Sequence, residues 1–285
     1  METDLFTRIE AYRSEFSKGH KAIAAFLTEH RDKAAYMTAL KLGQTVGVSE
    51  STVVRFAVEL GYEGYPQMQR ALRGILRGTL TSVQRIELGG HRLDGGDILK
   101  SVLLSDLDNL RSTMDSIDKE AFANAVNAIL DSHGVYIVGV RSSAALAAFL
   151  HFYLKLLFPH THRVDEGADS DMLESVMRIG PDDVLIGISF PRYSRRTVQT
   201  MRYARDQGAR VVALTDSARS PLCGITDINL LARSDMVSFV DSLVSPMAVI
   251  NALIMALGSA KRGEISQTFE RLERIWEQYN VYEKG

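Results

Sequence analysis

The feature that most constrains this chain is a change of hydrophobic rhythm. Through the first 80 residues every apolar pattern has helical spacing, whereas from Gly134 onward short β-rich runs alternate with longer helical stretches. Such a chain reads as an all-helical head followed by an α/β body, and 285 residues suffice for two cores. In the head, Leu5, Ile9, Tyr12 and Phe16 form one apolar stripe, and Ile23, Phe26 and Leu27 a second. In the body, Val135–Val138, Val184–Ile188, Val211–Leu214 and Ile228–Leu231 read as buried strands, with a weaker one at His162–Val164. Helical stretches Ser142–Phe158, Arg195–Gln207 and Leu243–Leu257 lie between or after them. The alternation implies right-handed crossovers and a doubly wound parallel sheet, flavodoxin-like in plan. The apolar helices 144–158 and 243–257 either cover that sheet or join copies of the chain, and covering the sheet accounts for them.

Between Gly78 and Gly96 the composition turns to Thr, Ser and paired glycines, a linker leading into a helix over Ile98–Met114. The expected organisation is a head over 1–78, a linker and connecting helix over 79–105, a body over 106–262 and a helical tail over 263–285. Residues 1–80 hold 11 Lys/Arg against 9 Asp/Glu, and the remainder 22 against 26, a small asymmetry in the direction a nucleic-acid-binding head requires.

With 46% apolar and 24% charged residues, the chain is neither disordered nor collagen-like. A net charge of -2 excludes a polybasic protein that coats nucleic acid, though not one small DNA-reading domain. The single Cys223 forms no intrachain disulfide, and without CxxC or Cys/His spacing no metal is expected; a reducing cytoplasm fits. The N-terminal residues lack the pattern of a signal peptide, and apolar runs break well short of about 20 residues, so no membrane partner is expected. Neither a Walker loop nor a GxGxxG fingerprint is present, and no cofactor is expected.

Two elements in the head carry a pattern with chemistry. Thr38 caps a short helix to about Val46, Gly47 allows a tight turn, and Ser49 caps a second helix ending at Leu60-Gly61. On the second helix Val53, Phe56, Ala57 and Leu60 cluster on one side, leaving Ser51, Thr52, Arg55 and Glu59 on the other. This is a helix-turn-helix pattern: Arg55 is suited to guanine O6/N7, and Ser51 or Thr52 to base edges or phosphate, while the same face serves equally as a solvated one. Arg70, Arg73 and Arg77 recur at helical intervals, either to track phosphates or as a basic surface edge.

The run from Thr38 through Pro66, with Val-Ser-x-x-Thr-Val-x-Arg-Phe at 48–56 followed by Leu-Gly-Tyr-x-Gly-Tyr at 60–65, resembles the N-terminal domain of the RpiR family of bacterial transcriptional regulators. The resemblance implies that Ser49, Ser51, Thr52 and Arg55 face DNA. With Thr38 they form the DNA-binding candidates.

In a doubly wound sheet, ligands bind beyond the carboxyl ends of strands, where helix N-termini offer N–H groups to anions. Gly139-Val-Arg-Ser-Ser143 follows one strand, and Ile188-Ser-Phe-Pro-Arg-Tyr-Ser-Arg-Arg196 another. Their serines and arginines make Arg141, Ser142, Ser143, Ser189, Arg192, Ser194 and Arg195 the ligand candidates, although Ser142, Ser143 and Ser194 also suit simple capping. The body resembles the SIS (sugar isomerase) domain that RpiR regulators carry. There the first turn reads Gly-x-Gly-x-Ser, matched by Gly139 and Ser143 with Arg141 at the second glycine. The second reads Ser-x-Ser-Gly-x-Thr/Ser, matched by Ser189 and Ser194 with Pro191 and Arg192 in the middle. Leu214–Ser217 and Ser220–Leu222 resemble the family's next strand and loop. Proline removes a hydroxyl and an N–H from a phosphate cradle, and arginine brings a bulky cation, so guanidinium groups are expected to replace the missing donors.

Isomerisation requires a base, and Glu166, Glu174, His151, His160 and His162 are available, but no spacing singles one out, and no catalytic residue is assigned. Cys223 reads as buried filler rather than a nucleophile. The expected function is a cytoplasmic transcriptional regulator of carbohydrate metabolism. Its operator affinity responds to a sugar phosphate or sugar acid, and it acts as a homodimer or homotetramer because two-fold pairing matches palindromic half-sites. A sugar-phosphate isomerase and a regulator whose SIS domain only oligomerises are the alternatives.

Overall fold

The computed structural model describes residues 5–76, 81, 83–86, 97–165, 169–226, 228–236 and 239–283, and the chain divides into two compact units, Met1–Asp94 and Gly95–Gly285. Arg77, most of the glycine-rich stretch that follows it, and Glu166 lie outside the described residues.

The first unit holds helices α1 (Leu5–Tyr12), α2 (Lys18–Glu29), α3 (Arg31–Ala34), α4 (Ala39–Val46), α5 (Glu50–Glu59) and α6 (Tyr65–Leu76). Their inward residues Leu5, Ile9, Phe16, Ile23, Leu27, Leu42, Val53, Phe56, Met68 and Leu72 form one core, in which the Phe16 and Phe56 rings lie 5.2 Å apart. Tyr12 does not join the stripe expected of it: α1 ends there with the ring exposed, and Phe16 enters the core from beyond the helix end. Tyr65 is buried and its hydroxyl donates to the Met37 carbonyl at 2.7 Å. Burial pushes this phenol up to about 12, with the nearby Arg73 opposing.

The second unit is built on five parallel strands, β1 (Val135–Gly139), β2 (Thr161–Val164), β3 (Val184–Ile188), β4 (Arg210–Thr215) and β5 (Ile228–Leu231), in the order β2-β1-β3-β4-β5. The strand order reverses direction between β1 and β3, where Gly139 pairs with Ile188. Helices cover both faces. Val135, Ile137, Val184, Ile186 and Val212 pack toward α8 (Lys119–Leu130), α9 (Ala144–Leu157) and α12 (Val244–Ala260), while Val138, Leu185, Val211 and Ala213 pack toward α10 (Asp169–Ser175) and α11 (Arg195–Asp206). Both apolar helices in question thus cover the sheet.

Helix α7 (Ile98–Ser116) is fastened to this unit through main-chain bonds. The Asn109 amide donates to the Asp235 carbonyl at 2.9 Å and accepts from the Asp235 N–H at 3.0 Å, and the Arg233 N–H donates to Thr113 Oγ1 at 2.9 Å. Helix α13 (Arg262–Gln278) buries none of its residues. No single helix among the described residues is long and apolar enough to cross a membrane.

Candidate functional site

In the head, α4 and α5 are joined by a turn that glycine makes possible. Gly47 has φ 76° and closes α4, the left-handed conformation that side chains disfavour. Thr38 Oγ1 accepts from the Lys41 N–H at 3.1 Å and Ser49 Oγ from the Thr52 N–H at 3.3 Å, so both serve as N-caps. Val53, Phe56 and Ala57 turn into the core, whereas Ser51 and Arg55 are exposed and Thr52 is half-buried. Ser49 Oγ also lies 2.9 Å from Ser51 Oγ and 2.8 Å from Thr52 Oγ1, a hydroxyl cluster at the leading end of α5. This end carries the positive pole of the helix, the face that a recognition helix turns toward a groove. The far end is anchored, with Arg8 donating to the Leu60 carbonyl at 2.8 Å. Exposed Arg70 remains available to phosphate, but Arg73 does not: its Nε donates to the Ala35 carbonyl at 2.9 Å, making it an internal strut.

The second candidate region lies where β1 and β3 end side by side. Gly139 approaches the following helix so closely that a Cβ there would stand 2.8 Å from the Ser143 carbonyl oxygen. A short 3-10 turn, Arg141–Ser143, precedes α9; Ser143 is buried and makes no capping bond, and Ser142 and Arg141 are exposed. After β3, Ser194 caps α11 by accepting from the Thr197 N–H at 3.4 Å, and its own N–H donates to Ser189 Oγ at 3.1 Å. Arg192 and Arg195 are exposed. Arg141 has φ 56° and Arg192 φ 69°. Left-handed backbone costs a non-glycine residue roughly 1–2 kcal/mol, and such strain concentrates at functional sites.

Beside these loops stands a buried polar network that the sequence reading left out of the site. Thr215 Oγ1 is within 2.8 Å of both the Ser189 carbonyl and Ser220 Oγ, and the Tyr193 hydroxyl donates to the buried Asp216 carboxylate at 2.8 Å. Thr197 Oγ1, fully buried in the first turn of α11, has no hydrogen-bond partner. The position of Leu214–Ser217 and Ser220 just past β4 was the available signal, since the carboxyl-end rule applies to β4 as well.

The candidate bases lie elsewhere. His160 and His162 sit at the amino-terminal end of the sheet, stacked on His133 at 4.7 Å and Tyr136 at 4.8 Å. His151 lies within α9 and is shifted down by burial and then by Arg163, and Glu174 is exposed on α10. Burial and the Asp216 charge push the half-buried Cys223 thiol up to about 11, so it remains protonated at neutral pH. Among the described residues no group of His, Cys, Asp and Glu is arranged to hold a metal ion.

A helix-turn-helix head followed by a five-stranded parallel sheet with serine-bearing loops at a switch point defines a DNA-binding regulator carrying a sugar-isomerase-type body. The rpiR-family helix-turn-helix domain matches residues 3–77, and the SIS domain matches residues 128–256. The sugar isomerase domain of an RpiR transcription factor from Sphaerobacter thermophilus is 31% identical, covering 63% of this chain and 99% of that chain with a TM-score of 0.60. An uncharacterized HTH-type transcriptional regulator of Caldanaerobacter subterraneus subsp. tengcongensis is 22% identical over 282 residues, 96% of this chain and 97% of that protein. The Vibrio vulnificus NanR protein, solved in complex with ManNAc-6P, shares the fold at a TM-score of 0.58 with 20% identity, over 97% of this chain and 99% of that one. The chain belongs to the RpiR family of transcriptional regulators.

Proposed function

We propose that this regulator binds operator DNA through Ser49, Ser51, Thr52 and Arg55, with Thr38 capping the supporting helix, and that a small anionic metabolite bound between the β1 and β3 loops sets its affinity. The ligand is a sugar phosphate or sugar acid, held by Arg141, Ser142, Ser143, Ser189, Arg192, Ser194 and Arg195. The observation that carries this reading is the meeting of two Ser/Arg loops at the one place where the strand order reverses. Helix N-termini and guanidinium groups there favour an anion over a neutral sugar. The ManNAc-6P held by the NanR relative is of the same chemical class. The protein works in the cytoplasm as a homodimer or homotetramer, which doubles the few base contacts that one recognition helix makes.

Sensing rather than turnover is favoured by the placement of His160 and His162 at the end of the sheet opposite these loops, too far round the strands to serve as a base for a ligand bound there. The test is fluorescence anisotropy on the upstream DNA of the protein's own operon, with and without candidate metabolites. Specific binding that shifts about 5- to 150-fold with one anion is expected. Specific DNA binding that no anion alters would leave the SIS domain as an oligomerisation module, and turnover of a sugar phosphate without specific DNA binding would favour the isomerase.

A further inference from the structure

We propose that His20, on α2, is a positioning residue for operator recognition: it holds the Glu59 carboxylate away from Arg55, so that the Arg55 guanidinium stays free to read bases. The inference rests on the placement of Arg55 at the DNA face and deepens it, by naming the group that keeps Arg55 available.

Glu59 stands on the same side of α5 as Arg55, four residues further on. At that spacing an arginine and a glutamate are neighbours on the helix surface and attract one another. A guanidinium captured in this way is a poorer reader of guanine, because the carboxylate competes for the same N–H donors. The carboxylate goes elsewhere. Glu59 Oε2 lies 2.9 Å from His20 Nδ1, with the Glu59 and His20 side chains 33% and 12% exposed. Arg55 is exposed and forms no ion pair among the described residues.

Three features favour His20 over Arg55 as the partner. The His20 ring is fixed by the core, edge-on to Phe16 at 6.1 Å and to Phe56 at 5.5 Å, so little freedom is lost in making the contact. Its shelter also weakens screening by solvent and salt. Glu59 closes α5, where the helix dipole disfavours an anion, whereas His20 lies in the first turn of α2, where the dipole favours one. Within α5 the arginine precedes the glutamate, the weaker order for such a pair.

The start of α2 also belongs to the surface on which Arg55 lies. Ser17 and His20 line one groove with Ser49, Thr52, Arg55 and Glu59. A Cβ on Gly19 would stand 3.5 Å from Thr52 Cγ2, so the first turn of α2 packs on the leading turn of α5.

Fluorescence anisotropy of the full chain tests this, on a labelled duplex from the upstream DNA of its own operon and on a scrambled duplex. His20→Phe keeps a ring against Phe16 and Phe56 but lacks the nitrogen, and His20→Ala removes both. Each is expected to lower the preference for the operator about fivefold, with the affinity for the scrambled duplex within about twofold of the parent. Either variant suffices, since a folding defect lowers binding to both duplexes alike. Made in a Glu59→Gln or an Arg55→Ala background, the same changes are expected to alter the preference less than about twofold: the first has no carboxylate to release and the second no guanidinium to capture. His20→Asn, whose amide N–H takes the place of Nδ1, is expected to recover most of the loss. A loss that persists in the Glu59→Gln background makes His20 a DNA contact or a prop of the fold and overturns the proposal. An unchanged preference in both His20→Phe and His20→Ala overturns it as well. Arg55→Ala without effect on the preference overturns the placement of Arg55 at the bases, and this inference falls with it.

Discussion

Gly47 in the head and Arg192 in the body have nearly the same φ, 76° and 69°, yet they answer different demands. In the head the turn itself is what matters: it sets α5 against α4, and the residue with no side chain does so at least cost. In the body a left-handed φ carries a long cation, a backbone that arginine disfavours by roughly 1–2 kcal/mol relative to glycine. Strain of this kind persists only where the surrounding structure enforces it, so the first turn is set by shape and the second holds a cation in place.

Four measurements test how each unit depends on these residues. Gly139→Ala has the largest expected effect, because its Cβ would meet a backbone oxygen at 2.8 Å and the side chain of Ala147 at 3.1 Å. Overpacking of this kind costs about 1–3 kcal/mol, visible as a lower urea midpoint of the body with DNA binding by the head preserved. The alkaline limb of head stability comes next. Tyr65 has its pKa raised in the folded state, so its contribution is full below pH 10 and is lost as pH rises toward about 12. Tyr65→Phe is expected to remove that loss, about 2–3 kcal/mol at most, in unfolding curves at pH 9 and pH 12. Arg55→Ala is expected to cost roughly 1–3 kcal/mol of operator discrimination in anisotropy titrations, with little change in melting because the side chain is exposed. Smallest, Gly47→Ala should destabilise the head by about 1 kcal/mol in thermal melts, because alanine disfavours the left-handed φ that glycine adopts freely.

Much of the fold was legible because a parallel sheet buried on both faces leaves continuous apolar runs: Val184–Ile188 and the others were read with nearly the bounds observed. The caps Thr38 and Ser49 were legible for a local reason, since a hydroxyl accepting from an N–H three residues on needs no distant partner. Helix α8, capped by Asp118 and separated from α7 by Ile117 and Asp118 alone, is absent from the sequence reading. The role of Arg73 was illegible because its partner, Ala35, lies 38 residues away. So was the linkage of Ser189, Thr215 and Ser220, which exists only once β3 and β4 are neighbours. The arginines at 141 and 192 were visible in the chain, whereas their positive φ was not.

The borders of the sheet have a consequence for unwanted strand pairing. Both outermost strands, β2 and β5, are four residues long, and β2 exposes His162 and Arg163. Stubby margins bearing cationic or titratable groups are poor templates for a foreign strand, which guards the molecule against runaway polymerisation.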